Sequence, residues 1–202
     1  MGGWHRLMRH AHQPLVLGLE PTVPLSAAQS ALKKLAARRR QLVEMRKQEK
    51  TRLKQFCDPE ISEGVTSIIE HLGEEVKKIE TRMEALTKEA SMKQHAEIIR
   101  SMPGVGPVVA ATLLAELPEL GATDRRAIAA LAGLAPIAND SGRREGQRRI
   151  GKGRNAVRSS LYIAALHATR HSAHFKGIRN KLENKGKSAK QATGQSRFKS
   201  LV

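Results

Sequence analysis

A hydroxyl that attacks a phosphodiester needs cationic company, and one short stretch of this chain supplies both. Ser141 stands in Asn139-Asp140-Ser141-Gly142-Arg143-Arg144, with Arg148 and Arg149 close behind. It also marks a change in charge. From Arg143 to Val202 there are 16 Lys and Arg against 2 acidic residues, so this segment holds +14 of the formal net charge of +17. Such a field attracts a nucleic-acid backbone and stabilises charge developing on phosphorus. The competing reading of the same residues is a Ser-Gly turn followed by a solvated cationic face.

Two other groupings suggest chemistry less strongly. His167, His171 and His174 fall at i, i+4 and i+7, a spacing that places three imidazoles on one helical face. Zinc takes a fourth ligand, and neither Cys57 nor a neighbouring carboxylate offers it, so a polar helix surface is the favoured reading. The only aspartates are Asp58, Asp124 and Asp140, two of them at helix boundaries. A two-metal nuclease centre needs several converging carboxylates, and no metal site is expected in this chain.

The elements that must position Ser141 are legible from periodicity. With 202 residues and 40% hydrophobic content the chain can bury one modest core, or a smaller core plus a helical arm. Residues 1–24 show no sustained period and read as an irregular lead-in. Residues 25–92 read as the arm. Ser26 caps a helix through Leu32, Leu35, Leu42, Met45, Leu53 and Phe56 that ends near Asp58-Pro59. Val65, Ile69, Leu72, Val76, Ile79, Met83, Leu86 and Ala90 then form a heptad seam. This predicts an antiparallel hairpin or an intermolecular coiled coil. Gly73 beside the seam weakens the helix by about 1 kcal/mol relative to alanine, so packing must support it.

Residues 93–185 read as a small helical domain. Met102-Pro103-Gly104-Val105-Gly106-Pro107 separates two helices and looks like a helix-hairpin-helix element, whose glycines let backbone amides approach a phosphate. Val108 stands where that motif usually carries a basic residue. Thr123 or Asp124 caps a short Ala-rich helix, and the Gly- and Arg-rich stretch 139–153 forms a mobile or hairpin-like loop. Arg154 and Arg158 open a helix that buries Val157, Leu161, Ala165 and Ala168. Residues 186–202 read as a basic, disordered tail. The expected fold is therefore mainly α, and the expected DNA contacts are Gly104, Gly106, Arg143, Arg144, Arg148, Arg149, Lys152, Arg154 and Arg158. Trp4, Phe56, Tyr162, Phe175 and Phe198 are too scattered to stack bases, which favours duplex backbone as the target. A single cysteine, no apolar run of about 18 residues and no organised signal peptide point to a cytoplasmic protein without membrane contact.

Several ordered motifs carry a resemblance across residues 17–190. They are Ala36 to Arg46, Met102 to Pro107, Leu131-Ala132-Gly133-Leu134-Ala135-Pro136, Asp140-Ser141-Gly142, Arg148-Arg149-Ile150-Gly151-Lys152-Gly153-Arg154, Leu161-Tyr162 and Lys185-Gly186-Lys187. Together they resemble the C-terminal part of the IS110/IS116/IS902 transposases, a family that includes the Piv-type DNA invertases. The resemblance implies an N-terminal RuvC-like nuclease domain with a four-carboxylate magnesium site, a coiled-coil connection, and a C-terminal domain whose serine attacks DNA covalently. It further implies a structured guide RNA, and it assigns the family serine to Ser141. Only about 25 residues precede the arm here, and Gln191 to Arg197 is polar where the family continues into an apolar helix. The expectation is a truncated transposase that binds DNA and does not complete recombination alone, with magnesium needed only alongside the nuclease domain. Its expected partners are DNA, a guide RNA, and a second copy or a full-length transposase through the coiled coil. A non-catalytic nucleic-acid-binding module and a coiled-coil oligomerisation protein stay open beside it.

Overall fold

The computed structural model describes residues 24–56, 58–137, 149–189 and 192. The lead-in up to residue 23, Cys57, Asp140, Ser141, Arg143, Arg144, Arg148 and most of the tail lie outside the described residues.

Helix α1 (Ala27–Leu53) starts at Ser26, whose hydroxyl accepts from the Gln29 amide while the Gln29 side chain accepts from the Ser26 amide, each at 3.1 Å. Two donors that a helix start leaves open are thereby satisfied. Helix α2 (Pro59–Thr87) is capped by Asp58, which accepts from the amides of Glu60 and Ile61. Pro59 costs nothing at its first position, where the missing N–H would have had no intrahelical partner.

The two helices pack along the heptad seam. Leu42 clusters with Leu72 and Val76, whereas Leu32 and Ala36 cluster with Met83 and Leu86. Low numbers on one helix meet high numbers on the other, so the pair runs antiparallel within one chain. Arg39 and Glu80 clip it at 2.6 Å. The seam stops short of its predicted end. Glu89, in extended backbone at φ −62° and ψ 145°, separates α2 from α3 (Ala90–Arg100), and Ala90 is exposed. A Cβ on Gly73 would lie 3.3 Å from Nη1 of Arg46, the movable end of a long side chain, so the surroundings do not demand glycine there.

Beyond α3 come α4 (Pro107–Glu116), α5 (Arg125–Leu131), α6 (Asn155–His171) and α7 (Ala173–Glu183). Between α5 and α6, β1 (Pro136–Ile137) pairs antiparallel with β2 (Arg149–Ile150), Pro136 opposite Ile150 and Ile137 opposite Arg149. The described residues thus hold seven helices and one two-residue ladder. Ile99, Val105, Ala110, Leu113, Leu117, Ile128, Ala132, Val157, Leu161 and Ala164 form the domain core. The alanines let α4, α5 and α6 approach closely, and each fully buried Leu or Val contributes roughly 1.5–3 kcal/mol. A second cluster, in which Leu32 and Ala36 meet Ala111 and Ala115, welds the arm to α4.

The three histidines do not share a helix. Ser172, extended at φ −121° and ψ 123°, ends α6 after His171 and caps α7. The rings of His167 and His171 stack with centroids 6.3 Å apart, whereas His174 sits edge-on to Phe175 at 5.5 Å. Among the described residues no helix is long and apolar enough to cross a membrane.

Candidate functional site

The described residues on either side of the Ser141 stretch meet in a tightly closed neck. Gly133 and Gly153 both adopt left-handed backbone, at φ +67° and +62°. Their main chains touch: a Cβ on Gly153 would lie 2.5 Å from the Gly133 amide nitrogen and 2.7 Å from the Leu131 carbonyl oxygen. A Cβ on Gly133 would in turn strike the Lys152 carbonyl oxygen. Only glycine fits both positions. The amide of Arg154 donates to the Leu131 carbonyl at 2.8 Å, and the β1–β2 ladder closes the same neck from the other side.

Two arginines lock it. Arg154 donates from Nη1 and Nη2 to the two carboxylate oxygens of Glu119 at 2.5 and 2.6 Å, and from Nη1 to the Glu116 carbonyl at 2.7 Å. This fork-to-fork geometry is the one lysine cannot copy. The Arg154 hydrogen bond is the main reason the Glu119 carboxyl is held below its ordinary range, and it raises Arg154 in return. Glu116 also pairs with Arg40 of α1 at 2.5 Å, so one relay runs from the arm through the end of α4 to the neck. Arg158 donates to the Lys152 carbonyl at 2.6 Å and to Asn155 Oδ1 at 2.9 Å. The Lys152 backbone is thereby held at φ +54°, a left-handed conformation that costs a non-glycine residue about 1–2 kcal/mol. Its side chain is exposed.

At the second expected contact, the 101–106 turn, the two glycines differ. Gly104, at φ +79°, packs against α6, where a Cβ would strike the Ala164 carbonyl oxygen and lie 2.8 Å from the Ala168 amide nitrogen. Val105 inserts into the core beside it. Gly106 caps α4 in open surroundings at φ −86°. Pro103 to Gly106 and His167, Ala168, His171 and Ser172 line a shallow cleft of about 380 Å³.

Of the basic residues expected at a phosphate, the structure brings Lys152, Arg154 and Arg158 together at the neck. It spends the Arg154 and Arg158 guanidinia on internal bonds and leaves the Lys152 amine outward. Arg149 contributes its backbone to β2. Sequence reasoning missed Glu119, an acid just after Pro118 whose partner lies 35 residues away. The paired glycines at 133 and 153, each just outside a helix end, were the available signal. For magnesium the residues present do not fit: among those described, no three His, Cys, Asp or Glu side chains gather, and Asp58 and Asp124 are occupied as helix caps.

The helices around the glycine-closed neck fall within a stretch that is similar to known proteins. Residues 96–178 match the model of the transposase IS116/IS110/IS902 family. The chain is similar to the insertion element IS116 uncharacterized 44.8 kDa protein of Streptomyces clavuligerus, 54% identical over 52 residues, covering 25% of this chain and 13% of the relative. It is also similar to the insertion element IS900 uncharacterized 42 kDa protein of Mycobacterium paratuberculosis, 30% identical over 135 residues, covering 62% of this chain and 33% of the relative. The matched stretches span a third or less of those relatives.

Proposed function

We propose that this chain is the DNA-contacting, serine-bearing part of an insertion-sequence transposase. The observation that carries the reading is that the stretch matching the transposase model encloses the neck, with Ser141, Arg143, Arg144 and Arg148 lying in sequence between β1 and β2 and Arg149 in the ladder. In this reading the arginines and Lys152 hold a duplex by its phosphates, Gly106 offers the first amides of α4, and Ser141 is the nucleophile. Arg154 and Arg158 keep the neck shut, and Gly104 seats the hairpin on α6. The arm is read as a coiled coil and the α3–α4 connection as a helix-hairpin-helix element. Arginines stay protonated and cannot accept the serine proton, so Ser141 needs activation from groups other than those described.

Salt dependence of duplex binding tests the reading. Replacing Arg143, Arg144, Arg148 and Arg149 with Gln should reduce the slope of log affinity against log salt by up to about 3.6, at ~0.9 per phosphate contact. An unchanged slope would show that DNA follows another surface. The chain alone should form no covalent adduct. Adding the family's nuclease domain, magnesium and guide RNA in trans should yield one, lost in Ser141→Ala, and an adduct that survives that substitution would remove Ser141 from the mechanism.

A further inference from the structure

The arm is electrically divided. Helix α1 holds nine basic against two acidic residues, whereas α2 holds three basic against seven acidic. Around Val43 the outer half of α1 has a shallow recess of about 340 Å³ lined by Arg46, Lys47, Lys50, Thr51 and Lys54. Lys47, Lys50 and Lys54 are exposed. Lys47 makes a 3.5 Å pair with Glu44, both side chains open to water, and no ion pair engages Lys50 or Lys54 among the described residues.

Helical period fixes which way this stripe points. Lys50 and Lys54 lie eighteen residues beyond Leu32 and Ala36, a separation of five turns and about 27 Å at 3.6 residues per turn and 1.5 Å per residue. Leu32 and Ala36 pack with Ala111 and Ala115 of α4. The side of α1 that carries the domain at its base therefore carries lysines farther out.

We propose that this stripe is a second backbone contact for duplex DNA, which lies along the arm and extends the footprint outward from the domain. The inference rests on the DNA-binding reading above. Charge complementarity selects a polyanion, and a recess lined without an aromatic ring suits duplex phosphates better than unstacked bases.

The test uses the full chain and a duplex of about three turns. Lys47→Gln, Lys50→Gln and Lys54→Gln together should lower the salt slope by about 2–3, so that a fourfold rise in salt costs roughly 40-fold less affinity than in the unaltered chain. The hydroxyl-radical footprint should shorten by about 8 base pairs, ~27 Å at 3.4 Å per pair. The matching Lys→Arg triple should restore both. If the unaltered chain shows salt-dependent binding and the Gln triple keeps its slope and footprint, the arm proposal fails and the DNA-binding reading stands. If the unaltered chain does not bind the duplex, both fall. A slope change confined to a structured RNA hairpin, with DNA binding untouched, overturns the proposal in favour of an RNA surface.

Discussion

Arg154→Ala distinguishes a guanidinium that holds the fold from one that holds DNA. The substitution removes the two-bond pair with Glu119 and leaves the Glu116 carbonyl without its donor. The pair is about one third exposed, 33% and 36% on its two sides, so solvent discounts it to about 1 kcal/mol, and the stranded carbonyl adds roughly another. A loss near 2 kcal/mol in a chain of this size lowers the melting temperature by about 4–8 °C. Arg154→Lys should recover less than half, since one ammonium cannot span both carboxylate oxygens. The pH dependence has a definite sign. Hydrogen bonding to Arg154 holds Glu119 below its ordinary 4.5, so the pair stabilises the fold fully above that value and its contribution fades as pH falls through the lowered one. The gap between the unaltered chain and Arg154→Ala should be complete at about pH 7 and narrow as pH falls below the ordinary carboxylate range through the lowered pKa of Glu119. Thermal circular dichroism across that range reads it. A variant that melts like the unaltered chain while its DNA salt slope drops by about 0.9 would refute the reasoning and return Arg154 to the phosphate.

Gly104→Ala should destabilise by at least about 3 kcal/mol, combining left-handed strain with a backbone collision against α6, whereas Gly106→Ala should stay within ~0.5 kcal/mol. Equal melting temperatures for the two would contradict the hairpin seating. Leu72→Asp buries a carboxylate where only 6% of the residue is exposed and should melt the arm's helices, whereas Ile68→Asp, at 50% exposure, should not. Helical ellipticity checks the pair, and equal losses would mean that α2 does not pack on α1 through Leu72.

Helix starts were the most readable part of the chain because their signals are local. Ser26 and Asp124 each cap a helix with their own side chains, whereas Asp58, read as the end of the first helix, also starts the second. The seam residues Leu72, Val76 and Met83 likewise announced their face through period alone. What sequence could not carry was long-range pairing. Nothing near Glu119 points to Arg154, and a two-residue ladder is too short to leave an alternating pattern. The histidine spacing misled because it assumed one continuous helix through Ser172, where the backbone turns extended.

The division of charge across the arm has a kinetic consequence. A rod with cations along one flank and anions along the other is a transverse dipole, and near a polyelectrolyte it experiences a torque as well as a pull. The α2 flank, rich in Glu60, Glu63, Glu70, Glu74 and Glu75, is turned away as the α1 flank is drawn in. On the proposed duplex contact, many collisions would be rotated toward one approach before any contact forms, so that orientation is not left to chance at encounter. The acidic helix, which touches no phosphate, would then act on the association rate rather than on the lifetime of the complex.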